Sequence, residues 1–246
     1  MCNELALEDG MISVIIPTKN EEAFLPRLLK SLQAQTRKPD EVIIADADST
    51  DRTCEIARSF GARVVEGGLP GVGRNKGAEA AKGDVLLFFD ADVQLVEEDF
   101  IERSLNQMDE RGLGIATCDV EPLSDSHLDK VLHKAYNRYV RVCGSKLPHA
   151  AGFCIFVKAN LHASINGFDE NVKFCEDHDY ARRAAKEGNF GVLDKRIPVS
   201  VRRLNRDGRL NIAVKFALAE LHLITLGPIR HNKFDYRFGH NKQEVK

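Results

Sequence analysis

Two short acidic stretches carry the chemistry this chain can do. Residues 84–92 read DVLLFFDAD, an apolar run that ends in Asp90-Ala91-Asp92, and residues 175–179 read CEDHD. Side chains two apart on an extended chain point the same way. Asp90 and Asp92 can therefore face one point, and Ala91 is too small to block it. Two close carboxylates repel unless a proton or a cation lies between them. Oxygen donors of this kind suit Mg2+ or Mn2+, which complete their coordination with water and substrate phosphates. Aspartates also cap helices wherever a loop enters one. The triplet alone does not choose between the two roles.

The elements around the triplet favour a site. Strands are predicted at 11–16, 41–45, 62–66 and 84–89, separated by helical patterns at 21–35, after Ser49-Thr50-Asp51, and at 78–82. Phe24, Leu28, Leu29 and Leu32 recur at helical spacing, and Cys54, Ile56 and Ala57 form the inner face of the next helix. The alternation predicts an α/β fold with a mostly parallel central sheet, helices on both faces and a Rossmann-like N-terminal half. Runs such as VLLFF are apolar throughout, as strands covered on both faces are. Later elements are predicted as helices at 97–111, 126–142 and 176–187 and strands at 114–119, 153–157 and 197–202.

Ligands of parallel sheets bind beyond the carboxyl ends of the strands. There the chain carries PTKNE at 17–21, DADSTD at 46–51 and, after a glycine-rich turn GVGRNKG at 71–77, the triplet itself. A nucleotide fits that edge with its diphosphate at the metal pair and Arg74 adding positive charge. His149, before the strand at 153, is a candidate for approaching an acceptor, and Arg202 and Arg203 for holding phosphate. Each has a bland alternative: a structural histidine and a solvated basic loop.

The segments VIIPTKNEE, VIIADADSTDRT, GVGRNKGAEAAKGD, LLFFDADV and FCEDHDYARRAAKEG occur in this order over residues 11–200. In this the chain resembles the family 2 glycosyltransferases of GT-A fold. The resemblance implies one glycosyltransferase domain over 1–246: a nucleotide-sugar-binding half at 11–120, an acceptor and catalytic half at 121–205, and a C-terminal helix and tail at 206–246. It implies inverting transfer of a single hexosyl or N-acetylhexosaminyl unit from a nucleotide-diphosphate sugar to a hydroxyl or phosphate, with Mg2+ or Mn2+. Pro17, Thr18, Glu21 and Asp46 line the base and ribose, Arg74, Asp90 and Ala91 support the donor, and Asp92 with Asp90 holds the metal. Asp177 is the base and Glu176 its neighbour. The family often has a second aspartate directly after the first in the segment where this chain has Ala47. The base of the donor is therefore left open.

Composition narrows the partners. A net charge of -2 over 246 residues argues against a nucleic-acid binder. The six cysteines show no C-x-x-C pair, so zinc spacing is absent and free thiols in a reducing cytoplasm are expected. The N-terminus does not read as a secretory signal. The apolar stretch 212–226 carries Lys215, Glu220 and His222 and is short for a membrane span. A helix over 208–226 either packs on the domain or touches a membrane surface. This leaves room for a lipid-linked acceptor and for peripheral association with an inner membrane face. The tail at 231–246 is polar and reads as loosely ordered. Two rivals stay open: a dinucleotide-dependent dehydrogenase built on Gly71, Gly73 and Gly77, whose third glycine falls one position late, and a binding module without chemistry.

Overall fold

The computed structural model describes residues 10–68, 70–231 and 234. One sheet of seven strands runs through the molecule: β1 (Ile12–Thr18), β2 (Glu41–Asp46), β3 (Arg63–Glu66), β4 (Val85–Phe88), β5 (Ile115–Pro122), β6 (Ile155–Lys158) and β7 (Phe190–Val199). Their order is β3-β2-β1-β4-β6-β5-β7, and only β6 runs antiparallel to its neighbours. The helices are α1 (Leu25–Gln33), α2 (Thr53–Ser59), α3 (Pro70–Ala80), α4 (Phe100–Glu110), α5 (His127–Cys143), α6 (Ala159–Ser164), α7 (Glu176–Ala184), α8 (Arg202–Asp207) and α9 (Arg209–Thr225).

Strand alternation divides the core. Ile12, Val14 and Ile16 of β1 pack with Leu25, Leu28 and Leu32 of α1 on one face, while Ile15 joins Phe88, Phe168 and Tyr180 on the other. Both faces are covered, which accounts for the unbroken apolar runs. Each fully buried leucine of α1 contributes about 1.5–3 kcal/mol.

Three details depart from the sequence reading. GVGRNKG is not a turn: it lies inside α3, which starts at Pro70. The glycines are needed for close approach instead, since a Cβ on Gly77 would sit 2.3 Å from Cγ2 of Ile15 on β1. The strand predicted at 197–202 is β7 and begins at Phe190. Its middle reads Asp194-Lys195-Arg196, which disguises a strand. Lys195 is nevertheless buried, its Nζ held by Glu97 and by Asp99 at 2.8 Å. The six-residue α6 was not foreseen. Cys2 and, apart from 231 and 234, the tail at 231–246 lie outside the described residues. Cys54, Cys118, Cys143, Cys154 and Cys175 are free thiols. No described helix is long and apolar enough to cross a membrane.

Candidate active site

A cleft of about 950 Å³ opens at the carboxyl ends of β1, β2 and β4. Every residue singled out from the sequence lines it: Pro17, Thr18, Glu21, Asp46, Arg74, Asp90, Ala91, Asp92, His149, Glu176, Asp177, Arg202 and Arg203. What the sequence could not show is how they are wired.

Asp46 ends β2 and is consumed locally. Its Oδ1 accepts from Thr18 Oγ1 (2.8 Å) and Ser49 Oγ (2.6 Å), and its Oδ2 accepts from Ser49 N (2.7 Å). These bonds lock the β1 and β2 loops together. Lys19, not foreseen, donates to the carbonyls of Ala47 and Asp48 across the same junction.

Asp90 and Asp92 sit in the turn after β4 rather than on the strand, with Val93 N donating to Asp90 O at 3.4 Å. They cap no helix, because α4 starts only at Phe100 and its cap position is Asp99. Their partners differ. Asp90 Oδ1 accepts from Arg74 Nη2 at 2.8 Å. Asp92 Oδ2 lies 3.1 Å from Arg202 Nε. Burial pushes the Asp92 carboxyl up to about 6; Arg202 pulls it back, while Asp90 and Glu21 push it further.

Arg202 opens α8 and is no solvated loop residue. Its Nη1 and Nη2 donate to Glu21 Oε2 and Oε1 at 3.0 and 2.9 Å, and its guanidinium lies 4.6 Å from the centre of the Phe24 ring. Arg203 stands in the field of Asp90 and Asp92.

Arg74 is the centre of the arrangement. Read from the sequence as a phosphate-side cation, it is 2% exposed. Nη1 donates to Glu176 Oε1 at 2.9 Å while Nη2 holds Asp90. Phe168 lies 5.4 Å below the guanidinium. Burial opposes the charge, but Asp90, Glu176 and Asp177 outweigh it and hold the pKa above its ordinary value. Gly152 makes room: a Cβ there would meet Nη2 at 2.3 Å.

Glu176 and Asp177 begin α7. Their helix starts from Cys175 at φ 58° and ψ 41°, a left-handed conformation that strains a side-chain-bearing residue. Asp177 Oδ2 accepts from Gly152 N at 2.7 Å and Oδ1 from His178 N at 2.8 Å. Burial, then Asp177, raises the Glu176 pKa against the pull of Arg74.

His149 is buried and held at both nitrogens. Nδ1 lies 2.6 Å from Leu147 O, and Nε2 lies 2.9 Å from Glu220 Oε2 of α9. Glu220 Oε1 also accepts from Arg182 Nη2 at 2.7 Å. Burial and His178 lower the His149 pKa. Its visible task is to fasten α9 to the cleft. Nothing in the local sequence around Glu220 signals this, because the partners lie 38 and 71 residues away.

As a metal site, Asp90 and Asp92 supply hard oxygen donors, and among the described residues no cluster of three or more metal-ligating side chains exists. Such a pair fits Mg2+ or Mn2+, which take one or two protein carboxylates and draw the rest from water and phosphate.

The chain is 46% identical over 100 residues to the 4,4'-diaponeurosporenoate glycosyltransferase of Staphylococcus haemolyticus, covering 37% of this chain and 26% of that protein. It is 28% identical over 185 residues to the poly(ribitol-phosphate) beta-glucosyltransferase of Bacillus spizizenii, covering 70% and 29%. The fold matches S. aureus TarS 1-349 in complex with UDP at TM-score 0.62, with 22% identity over 86% of this chain and 65% of that one. It matches mannosyltransferase PcManGT from Pyrobaculum calidifontis, in complex with GDP-Man and Mn2+, at TM-score 0.70, with 20% identity over 86% and 64%. The glycine fingerprint of a dehydrogenase has no counterpart, since its glycines lie within a helix and not at a strand-to-helix turn. The family model described as glycosyl transferase family 2 matches residues 13–165, and the chain belongs to that family.

Proposed function

We propose that the protein is an inverting transferase that moves one sugar, of the hexosyl or N-acetylhexosaminyl class, from a nucleotide-diphosphate donor to an acceptor hydroxyl or phosphate. One observation carries the reading: the Asp90–Asp92 turn and the Asp177 helix line one cleft, joined by a single buried arginine. The base and ribose lie along Pro17, Thr18, Glu21 and Asp46, in the nucleotide-sugar half at 11–120. The acceptor meets the 121–205 half. Relatives whose structures hold UDP, or GDP-Man with Mn2+, support this donor class.

Asp90 and Asp92 would hold Mg2+ or Mn2+, which when bound neutralises charge on the departing diphosphate. Arg202 and Arg203 add positive charge beside the same carboxylates. Asp177 takes the proton of the acceptor oxygen as that oxygen attacks the anomeric carbon. The carbon–oxygen bond to diphosphate breaks, and its electron pair leaves on the nucleoside diphosphate. Glu176 and Arg74 keep Asp177 in position, and Gly152 N fixes one of its oxygens.

Asp92→Asn should abolish Mn2+-dependent hydrolysis of UDP- or GDP-sugars while circular dichroism stays native. Asp177→Asn should keep donor affinity and lose turnover by at least 100-fold. Full activity in Asp92→Asn would remove the metal assignment, and normal turnover in Asp177→Asn would reassign the base.

We also propose a cytoplasmic site of action at a membrane face. Leu210, Val214, Leu218, Leu221 and Ile224 form an exposed apolar stripe along α9, and α5 exposes Lys130, Lys134 and Arg138 beside Leu128, Val131 and Val142. Basic residues with exposed apolar ones favour an anionic lipid surface.

A further inference from the structure

Away from the residues proposed for the nucleotide, the wall of the cleft changes character. α5 and α9 are joined by two rungs. Arg209 gives Nε and Nη2 to Asp129 at 2.5 and 2.9 Å. Farther along, the Tyr139 ring packs edge-on against His149 at 5.1 Å, and His149 Nε2 lies 2.9 Å from Glu220 Oε2. The rungs lie ten residues apart on α5 and eleven on α9, roughly 15 Å of helix. The helices do not pack extensively on each other between them.

The side chains that line the cleft between the rungs are Leu132 and Tyr136 from α5, Ile212, Ala213, Phe216 and Ala217 from α9, and His133. His133 turns its Nδ1 to the carbonyl of Asp129 at 2.7 Å. Among the described residues, no charged side chain lines this stretch. Ala213 and Ala217 are one turn apart, so α9 presents a hollow rather than a ridge. A sugar or nucleotide in such a slot would leave its hydroxyls or phosphates without partners. A hydrocarbon there gains about fourfold in affinity per buried methylene.

The slot belongs to the same cleft as Asp177, Glu176 and the basic pair Arg202 and Arg203. Outside the cleft lining, α9 also exposes Leu210, Val214 and Leu218. α9 is thus apolar on the side toward the cleft and on the side toward solvent. A helix of that kind is ordinarily covered all round.

Resting on the transferase reading above, we infer that the acceptor is an amphiphile. Its hydroxyl or phosphate head lies at Asp177, and its hydrocarbon body fills the slot between α5 and α9. This assigns a substrate class to the acceptor half that the donor residues do not specify.

The chain has no tryptophan, so Phe216→Trp on one wall, or Tyr136→Trp on the other if the first does not fold, gives a single reporter. The probe is a dodecyl phosphate brominated near its methyl end, titrated below its micelle concentration, with glycerol phosphate as the head-only control. Saturable quenching is expected, with glycerol phosphate competing at least 100-fold more weakly. Ala213→Phe combined with Ala217→Phe, built on the reporter, should weaken the alkyl probe at least tenfold. Affinity for UDP- or GDP-sugar, measured by calorimetry, should stay within twofold. Quenching that does not saturate, that survives the filled slot unchanged, or that glycerol phosphate competes away equally would overturn the inference. The nucleotide-sugar titration reads the donor site by itself, so an empty slot and a failed transferase assignment are told apart.

Discussion

Replacing Arg74 by methionine tests the wiring most directly. The guanidinium is buried, 2.9 Å from Glu176 Oε1 and 2.8 Å from Asp90 Oδ1. Methionine keeps most of the volume against Phe168 and removes the charge. Breaking a buried pair by deleting one partner costs about 3–5 kcal/mol. The Asp90 side chain is 32% exposed and regains water, so little of that falls on it. The Glu176 side chain is 9% exposed and cannot. A loss of about 3 kcal/mol at pH 8 follows, the low end of the range. The sign with pH is also fixed. Burial and Asp177 already hold the folded Glu176 pKa above its unfolded value, and Arg74 is what restrains it. Without Arg74, the folded variant binds more protons than the unfolded chain, and stability falls as pH rises through the raised pKa. The deficit should therefore shrink between pH 8 and pH 5.5, and Glu176→Gln added to Arg74→Met should recover most of it. Urea unfolding followed by circular dichroism at both pH values measures this. A loss under about 1 kcal/mol, a pH-independent loss, or no recovery in the double variant would refute a charge held in place by that arginine.

Four further outcomes follow from the same geometry. Gly152→Ala puts a methyl 2.3 Å from Arg74 Nη2 and 3.4 Å from Asp177 Oδ2, and should cost about 1–3 kcal/mol of stability in urea melts, with a fall in turnover. His162 is depressed to about 4 by burial and by Arg183. Its unfolded form takes up a proton first, so it contributes stability above about pH 6.5 that is lost as pH falls through 4, worth about 3 kcal/mol; His162→Gln should flatten that slope in urea titrations. Arg202→Gln should weaken UDP binding in the presence of Mg2+ about tenfold by calorimetry, as loss of a charge-assisted contact would. Leu218→Ser with Leu221→Ser should halve or further reduce flotation with phosphatidylglycerol vesicles, and retention of full binding would remove α9 from the membrane face.

The cleft at the carboxyl ends of β1, β2 and β4 was legible in the sequence because local signals specify it. Apolar runs of β1, β2 and β4 end in polar groups, and strand order brings those ends together. The glycines of α3 misled, since a helix that needs close approach to Ile15 uses the same residue type as a turn. β7 was half hidden because Lys195 takes its partners from the loop before α4, 96 and 98 residues away. The cleft wall formed by α5 and α9 was not legible. Apolar spacing in 212–226 reads equally as a core helix or a membrane helix. Only tertiary structure shows that Ile212 and Phe216 line a cleft while Leu218 and Leu221 do not.

The left-handed Cys175 sets the direction of the first turn of α7, which charge as well as packing holds in place. A left-handed residue before α7 costs of order 1–3 kcal/mol, and a relaxed start to that helix would aim its first turn elsewhere. Two interactions oppose that relaxation: Arg74 draws Glu176 toward β4, and Gly152 N holds Asp177. On the other side, Phe174 bridges to Ile229 and contacts Phe216 of α9. The first turn of α7 is therefore held between the turn after β4 and α9. Phe174 and Cys175 thus form one unbroken path of contacts from Phe216 of α9 to the first turn of α7, where Asp177 sits.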